Sequence, residues 1–134
     1  MPYIARVASG NLPELNIFGN DYDTRDGTGE RDYIHVMDLA RGHAAALDFL
    51  RENHGWQAIN LGTGRSYSVL EMINTFERVS KKLIPRKYVA RRSGDLARYF
   101  AKTSKAQSLL GWTATQSLDD MCESTWTYQQ GIKL

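Results

Sequence analysis

Hydrophobic positions recur along this chain with two periods, and the switches between them divide it into short elements. Ile4, Val7 and Ala8 share one side at helical spacing, so residues 2–9 read as the end of a helix, and Pro13 breaks the pattern beyond it. "LNIF" at 15–18 is strand-like, and "GNDYDTRDGTGER" at 19–31 is a loop dense in turn formers. That loop is longer than most connections in compact domains, which marks it as a candidate functional segment. "YIHV" at 33–36 is expected to be a strand. Asp38 is then expected to cap a helix in which Leu39, His43, Leu47 and Leu50 form one apolar stripe, ended by Asn53 and Gly55.

"WQAINL" at 56–61 reads as the next strand. Ser68 and Glu71 form a capping box for a helix whose apolar face is Val69, Met72, Ile73, Phe76 and Val79. Pro85 stops any continuation, and "KYVA" at 87–90 returns to strand. Thr103 or Ser104 can cap a short helix ending near Gly111, with Trp112 anchoring the chain beyond it. A last helix from about Ser117 places Leu118, Met121, Cys122, Thr125 and Trp126 on one face. Short strands alternating with about four helices, without repeat or linker, predict an α/β fold in one unit over residues 1–134.

Composition narrows the class without naming a function. A chain of 134 residues, 42% hydrophobic and 24% charged, can bury a core and is ordinary for a soluble domain. No apolar run approaches the roughly 18–20 residues of a membrane span, and "MPYIARVASG" lacks the pattern of a secretory signal. Cys122 is the single cysteine, so no intrachain disulfide can form, which fits a reducing cytoplasm. The net charge of +2 is unevenly spread: between Arg78 and Lys105 stand ten of the seventeen basic residues and one acid, Asp95. Such a segment suits phosphate-bearing partners, from nucleotides to nucleic acid, and equally describes a solvated helix end and loop.

Several familiar chemistries are missing. "NLGTGRSY" at 60–67 lies between a strand and a helix, the setting of a dinucleotide-binding turn, but Tyr67 stands where the third glycine belongs. No acidic residue ends a following strand to take a ribose hydroxyl. His35, His43 and His54 share no metal-ligand spacing, and Cys122 has no partner. There is no Gly-x-Ser-x-Gly elbow, and no tyrosine has lysine four residues on; Tyr99 and Lys102 are three apart. What remains is Arg31 before a strand, and Arg92 with Asp95 around Gly94 in "RRSGD". Arginine donates bidentate bonds to phosphate and a carboxylate accepts sugar hydroxyls, so this set suits a nucleoside diphosphate. It suits a structural ion pair as well.

"NIFGNDYDTRDGTGERDYIHVMDLARGHAAAL", "INLGTGRSYSVLEM", "ARRSGDLARYFA" and "SKAQSLLGW" carry a resemblance that goes further. In order and spacing they resemble the C-terminal part of the UDP-glucose 4-epimerases, a branch of the extended short-chain dehydrogenase/reductase family. The resemblance implies an α/β substrate-binding region that grips UDP-glucose or UDP-galactose, while a Rossmann domain absent from this chain holds NAD and supplies the Tyr-x-x-x-Lys base. It implies that Arg31 and Arg92 contact the diphosphate and that Asp95 takes the uridine ribose. Asn16, Ile17 and Phe18 would line the uracil, and Tyr99 would stand beside the hexose, favouring glucose and galactose over N-acetylhexosamines. Arg91 is left as a neighbour of Arg92. The resemblance further implies that Met1 falls inside a longer protein. The isolated chain is then expected to bind no NAD, to be catalytically inactive, and to self-associate through the apolar surface normally packed on the NAD-binding domain. The other readings are a dehydratase or decarboxylase of nucleotide sugars, and a non-enzymatic module binding a polyanion or protein through Arg78–Lys105.

Overall fold

The fold is given by a computed structural model that describes residues 1–131; residues 132–134 of the expected domain lie outside it. Ten elements follow in order: α1 (Pro2–Ala8), β1 (Leu15–Phe18), β2 (Glu30–Arg31), α2 (Val36–Glu52), β3 (Tyr67–Ser68), α3 (Val69–Ser80), β4 (Arg86–Val89), β5 (Arg98–Tyr99), α4 (Ser104–Leu110) and α5 (Leu118–Gly131). The alternation is α/β as expected, with five helices among the described residues rather than about four.

The core forms where three apolar helix faces meet one strand. Ile4, Ala5 and Val7 of α1, Ile73 and Phe76 of α3, and Met121 and Cys122 of α5 close over Leu15 and Ile17 of β1. Phe76 meets Trp126 edge-on at 6.1 Å between ring centroids, a favoured aromatic geometry. The α3 capping box is made as its sequence predicts: the Ser68 hydroxyl accepts from the Glu71 amide, and the Glu71 carboxylate accepts from the Ser68 amide. Lys81 ends that helix in the left-handed region, at φ 56°.

Two small sheets flank this core. β1 pairs with β4 in parallel, Leu15 opposite Arg86 and Phe18 opposite Val89. β2 is central in the second sheet, antiparallel to β3 and parallel to β5, so Arg31 stands opposite Tyr67 on one side and Tyr99 on the other. The 19–29 loop and the 91–97 turn approach each other, with Arg91 Nε donating to Asp21 at 2.7 Å.

Three expected elements differ. Residues 33–35 of "YIHV" form no strand and Val36 begins α2, because the buried His35 is its cap: its Nδ1 accepts from the Met37 amide at 3.0 Å and its Nε2 lies 2.9 Å from Ser124 Oγ. Asp38 lies inside α2 rather than capping it. Its buried carboxylate accepts from the Thr115 and Gln116 amides at 3.0 and 2.8 Å, tying α2 to the segment after α4. "WQAINL" carries no strand pairing. The α2 stripe is not a core face either: His43 is exposed, Leu47 and Leu50 are 65% and 51% exposed, and Trp56 nearby in sequence is 84% exposed.

Candidate functional site

Strand alternation sets the site's floor. Along β1, Leu15 and Ile17 point into the core, while Asn16 and Phe18 face outward. A cavity of about 570 Å³ opens beside that face, between α1, β1, β2, the start of α3 and the 91–97 turn. Asn16, Ile17, Phe18, Arg31, Arg92 and Asp95, six of the seven expected site residues, line it together. Ile17 gives its side chain to the core, so Asn16 and Phe18 are the strand's open side chains. The seventh, Tyr99, is exposed and lies outside this lining, across the ladder from Arg31.

The charged wall is prearranged. Arg31 Nη1 donates to the carbonyls of Glu30 and Leu96, each at 2.8 Å, and its Nη2 lies 3.6 Å from Asp95. Arg92 Nε donates to the other Asp95 oxygen at 3.2 Å, and its guanidinium lies 4.4 Å over the Phe18 ring. Two guanidinium groups thus share one carboxylate at the cavity edge, a net cation presented as planar forks. Tyr22, Tyr33, Leu12 and Met72 complete the wall, and burial pushes the Tyr33 phenol up. Sequence reasoning did not select these four. Only Tyr33 carried a signal, two residues beyond Arg31 and so on the same side of an extended stretch.

Arg91, adjacent in sequence, has a different task. Its Nε donates to Asp21 at 2.7 Å, a second arm reaches the Asp21 carbonyl, and its guanidinium lies 4.1 Å over Tyr22. That contact pulls the Asp21 carboxyl below its ordinary value and raises the Arg91 guanidinium. Gly19 makes room for it: a Cβ there would sit 2.6 Å from the Tyr22 ring and 2.8 Å from Arg91 Cγ. Other members of the basic segment are also paired: Arg78 with Asp119, Arg86 with Glu77, Lys87 with Glu14 and Arg98 with Glu30. These pairs reduce the cationic character that the count of basic residues suggests.

The glycine turn at 61–64 is already filled. Asp32 accepts from the Thr63 amide at 2.9 Å, the Thr63 hydroxyl at 2.6 Å, and the Gly64 and Ala101 amides at 3.1 Å each. A carboxylate from β2's end takes the amide cradle that a phosphate would use. A Cβ on Gly62 would fall 2.6 Å from both Ala101 Cβ and Asp32 Oδ2. The residues of this turn therefore do not fit a dinucleotide phosphate. Among the described residues no group of three or more His, Cys, Asp or Glu could hold a metal ion, and no helix is long and apolar enough to cross a membrane.

A family model described as GDP-mannose 4,6 dehydratase matches residues 1–125. The chain belongs to that family, within the extended short-chain dehydrogenases/reductases. Among the relatives it resembles are UDP-glucose 4-epimerases. It is 58% identical over 97% of its length to the UDP-glucose 4-epimerase of Homo sapiens, and 54% identical over 96% to that of Bacillus subtilis (strain 168). It spans 37% and 38% of the length of those two relatives, matching their C-terminal portion.

Solved structures agree. The UDP-glucose 4-epimerase from Stenotrophomonas maltophilia with bound NAD and formylated UDP-arabinopyranose superposes with a TM-score of 0.93 at 52% identity, covering 96% of this chain and 38% of that one. The enzyme from Bifidobacterium longum in complex with NAD+ and UDP gives 0.92 at 49%, with the same coverage. The resemblance drawn from the sequence is thus borne out, as is the α/β C-terminal-domain fold it implied.

Proposed function

We propose that this chain is the UDP-sugar-gripping region of a UDP-glucose 4-epimerase, working with an NAD-binding region to interconvert UDP-glucose and UDP-galactose through a 4-keto sugar. The observation that carries the reading is the convergence of Arg31, Arg92 and Asp95 on one cavity beside the open face of β1. Uracil lies along Asn16–Phe18, the ribose hydroxyls meet Asp95, and the diphosphate replaces Asp95 as partner of the two arginines. Tyr99 borders the hexose, where its bulk disfavours an N-acetyl group. The physical task is asymmetric: the nucleotide is held tightly so that its binding energy positions the sugar, while the sugar stays free to present either face.

In this reading the chain alone is catalytically inactive and binds no NAD, since it offers neither a free phosphate cradle in its glycine turn nor a tyrosine with lysine four residues on. NAD accompanies the related structures described above. The reading places the chain in galactose metabolism in the cytoplasm, with no nucleic-acid or membrane partner. It also includes self-association through the α2 and 56–61 surface with a second copy as occupant. Leu61 packs near the buried Gly42 of α2, which holds the 56–61 segment beside that helix. The dehydratase alternative has the family model's description in its favour, and the 54–58% identities to epimerases weigh more.

Calorimetry with UDP tests the site. The wild type releases UDP-dependent heat, and Arg92→Ala loses it in large part. A wild type without such heat at millimolar UDP overturns the reading of this cavity.

A further inference from the structure

A buried carboxylate network lies just outside the cavity, and the nucleotide reading leaves it unused. Glu30 is 1% exposed, yet it is charged: Arg98 Nε donates to one carboxylate oxygen at 2.7 Å and Arg25 Nε to the other at 3.3 Å. The Ser66 hydroxyl donates at 2.8 Å. Arg25 continues to Glu71 in the α3 capping box at 2.9 Å. One buried carboxylate therefore joins the 19–29 loop, β2, the approach to β3, and β5.

Its position in the ladder is the telling feature. Glu30 pairs with Arg98, and the next pair is Arg31 with Tyr99. β2 and β5 are two residues each, held by the Glu30 amide on the Ala97 carbonyl at 2.8 Å and the Asp32 amide on the Tyr99 carbonyl at 3.1 Å. A parallel ladder this short has little register of its own. Yet β5 decides where the cavity's charges stand. Leu96, whose carbonyl holds Arg31, and Asp95, which meets both arginines, lie two and three residues before it. Sliding β5 displaces Leu96, Asp95 and Tyr99 together.

We propose that Glu30 and Arg98 are positioning residues: their ion pair, buried at its Glu30 end, fixes β5 against β2 and so sets the Arg31 guanidinium and the Tyr99 ring for a nucleoside diphosphate sugar. This rests on the UDP reading of the cavity. A charged pair suits the task because it is strongly directional, and a slip of register takes from the buried carboxylate the shortest of its three contacts. Neither side chain lines the cavity, so their effect on ligand passes through Arg31, Asp95 and Tyr99.

The test compares wild type, Glu30→Gln and Arg98→Gln by ¹⁵N–¹H titration with uridine, UDP and UDP-glucose, following the Asn16 and Phe18 amides, with urea denaturation as a fold control. Arg98 is at the surface, so its variant keeps Glu30 paired to Arg25 and Ser66 and remains measurable even if Glu30→Gln does not fold. Both variants are expected to weaken UDP and UDP-glucose by roughly tenfold or more, the scale of an ångström's misplacement, with uridine affinity unchanged. Folded variants that match the wild type, or that lose uridine and UDP in equal proportion, overturn the positioning role and leave the UDP site standing. A wild type that binds none of the three overturns the site itself and this inference with it.

Discussion

The Asp32 carboxylate sits in the turn begun by Thr63, taking that residue's amide and hydroxyl on one oxygen at 2.9 and 2.6 Å. Two further amides, from Gly64 and Ala101, satisfy the other. Asp32 therefore joins β2, the glycine turn and the strand exit after Tyr99 at a single group. Removing it leaves several donors without a partner, and hydrogen bonds to a charged group contribute about 1.5–3 kcal/mol each at most. Asp32→Ala is expected to cost roughly 2–4 kcal/mol of stability, read as a lower urea midpoint with unchanged slope. A variant within about 0.5 kcal/mol of wild type would show that the cradle is not a structural joint.

The glycine turn also shows what could be learned before the fold was known. "NLGTGRSY" announced an amide cradle, but what fills it depends on Asp32, some thirty residues earlier, and long-range pairing has no local signature. The cap and apolar face of α3 were legible: Ser68, Glu71 and the stripe from Val69 to Val79 act as their sequence predicts, whereas the expected cap and stripe of α2 do not. "WQAINL" has strand composition without a strand partner in the described fold, since composition marks an extended apolar segment and only a neighbour makes it a ladder. β2, β3 and β5 are two residues each, too short for a period of two to show. The charged half of the cavity was legible because arginines beside an aspartate and a glycine are unusual. Its apolar half, Tyr22, Leu12 and Met72, looked like ordinary core and loop.

The adjacent arginines separate two roles. Arg91 is spent on Asp21 and Tyr22, Arg92 on Phe18 and the cavity. Arg91→Ala is expected to lower the urea midpoint slightly, through loss of an exposed ion pair and a cation–π contact, with UDP affinity within about threefold of wild type. Arg92→Ala is expected to keep stability within about 0.5 kcal/mol and weaken UDP at least roughly tenfold, the loss of one charge-assisted phosphate contact. Paired denaturation and calorimetry on both variants check the division. An exchange of the two phenotypes would reverse the assignment.

Acid should reveal Glu30. The Arg98 guanidinium, more than the Ser66 and Arg25 donors, holds its carboxyl down to about 2, against an ordinary 4.5. A depressed folded value means the unfolded chain takes the proton first. The stabilisation is complete above pH about 4.5 and is lost as pH falls from there toward about 2. Asp21, Asp26, Asp38 and Asp120 are also lowered and act in the same direction, so the diagnostic is a difference. The gap in urea midpoint between wild type and Glu30→Gln is expected to hold above about pH 4.5 and to narrow as pH falls from there toward about 3. A constant gap would mean that Glu30 is not charged in the folded protein.

The exposed stripe of α2 bears on how the isolated chain behaves in solution. Val36, Met37, Leu47 and Leu50 are each more than half exposed, and Trp56, at 84%, precedes a segment whose backbone has no ladder partner. Apolar area and open backbone groups together favour pairing with another copy. Sedimentation equilibrium is expected to show a concentration-dependent dimer for the wild type. Tryptophan at the centre of such a contact contributes about 2 kcal/mol or more, so Trp56→Ser should shift the dissociation constant by at least roughly tenfold without altering the UDP titration, since Trp56 lies outside the cavity. A wild type that stays monomeric up to millimolar concentration would show that this face does not bind a second copy.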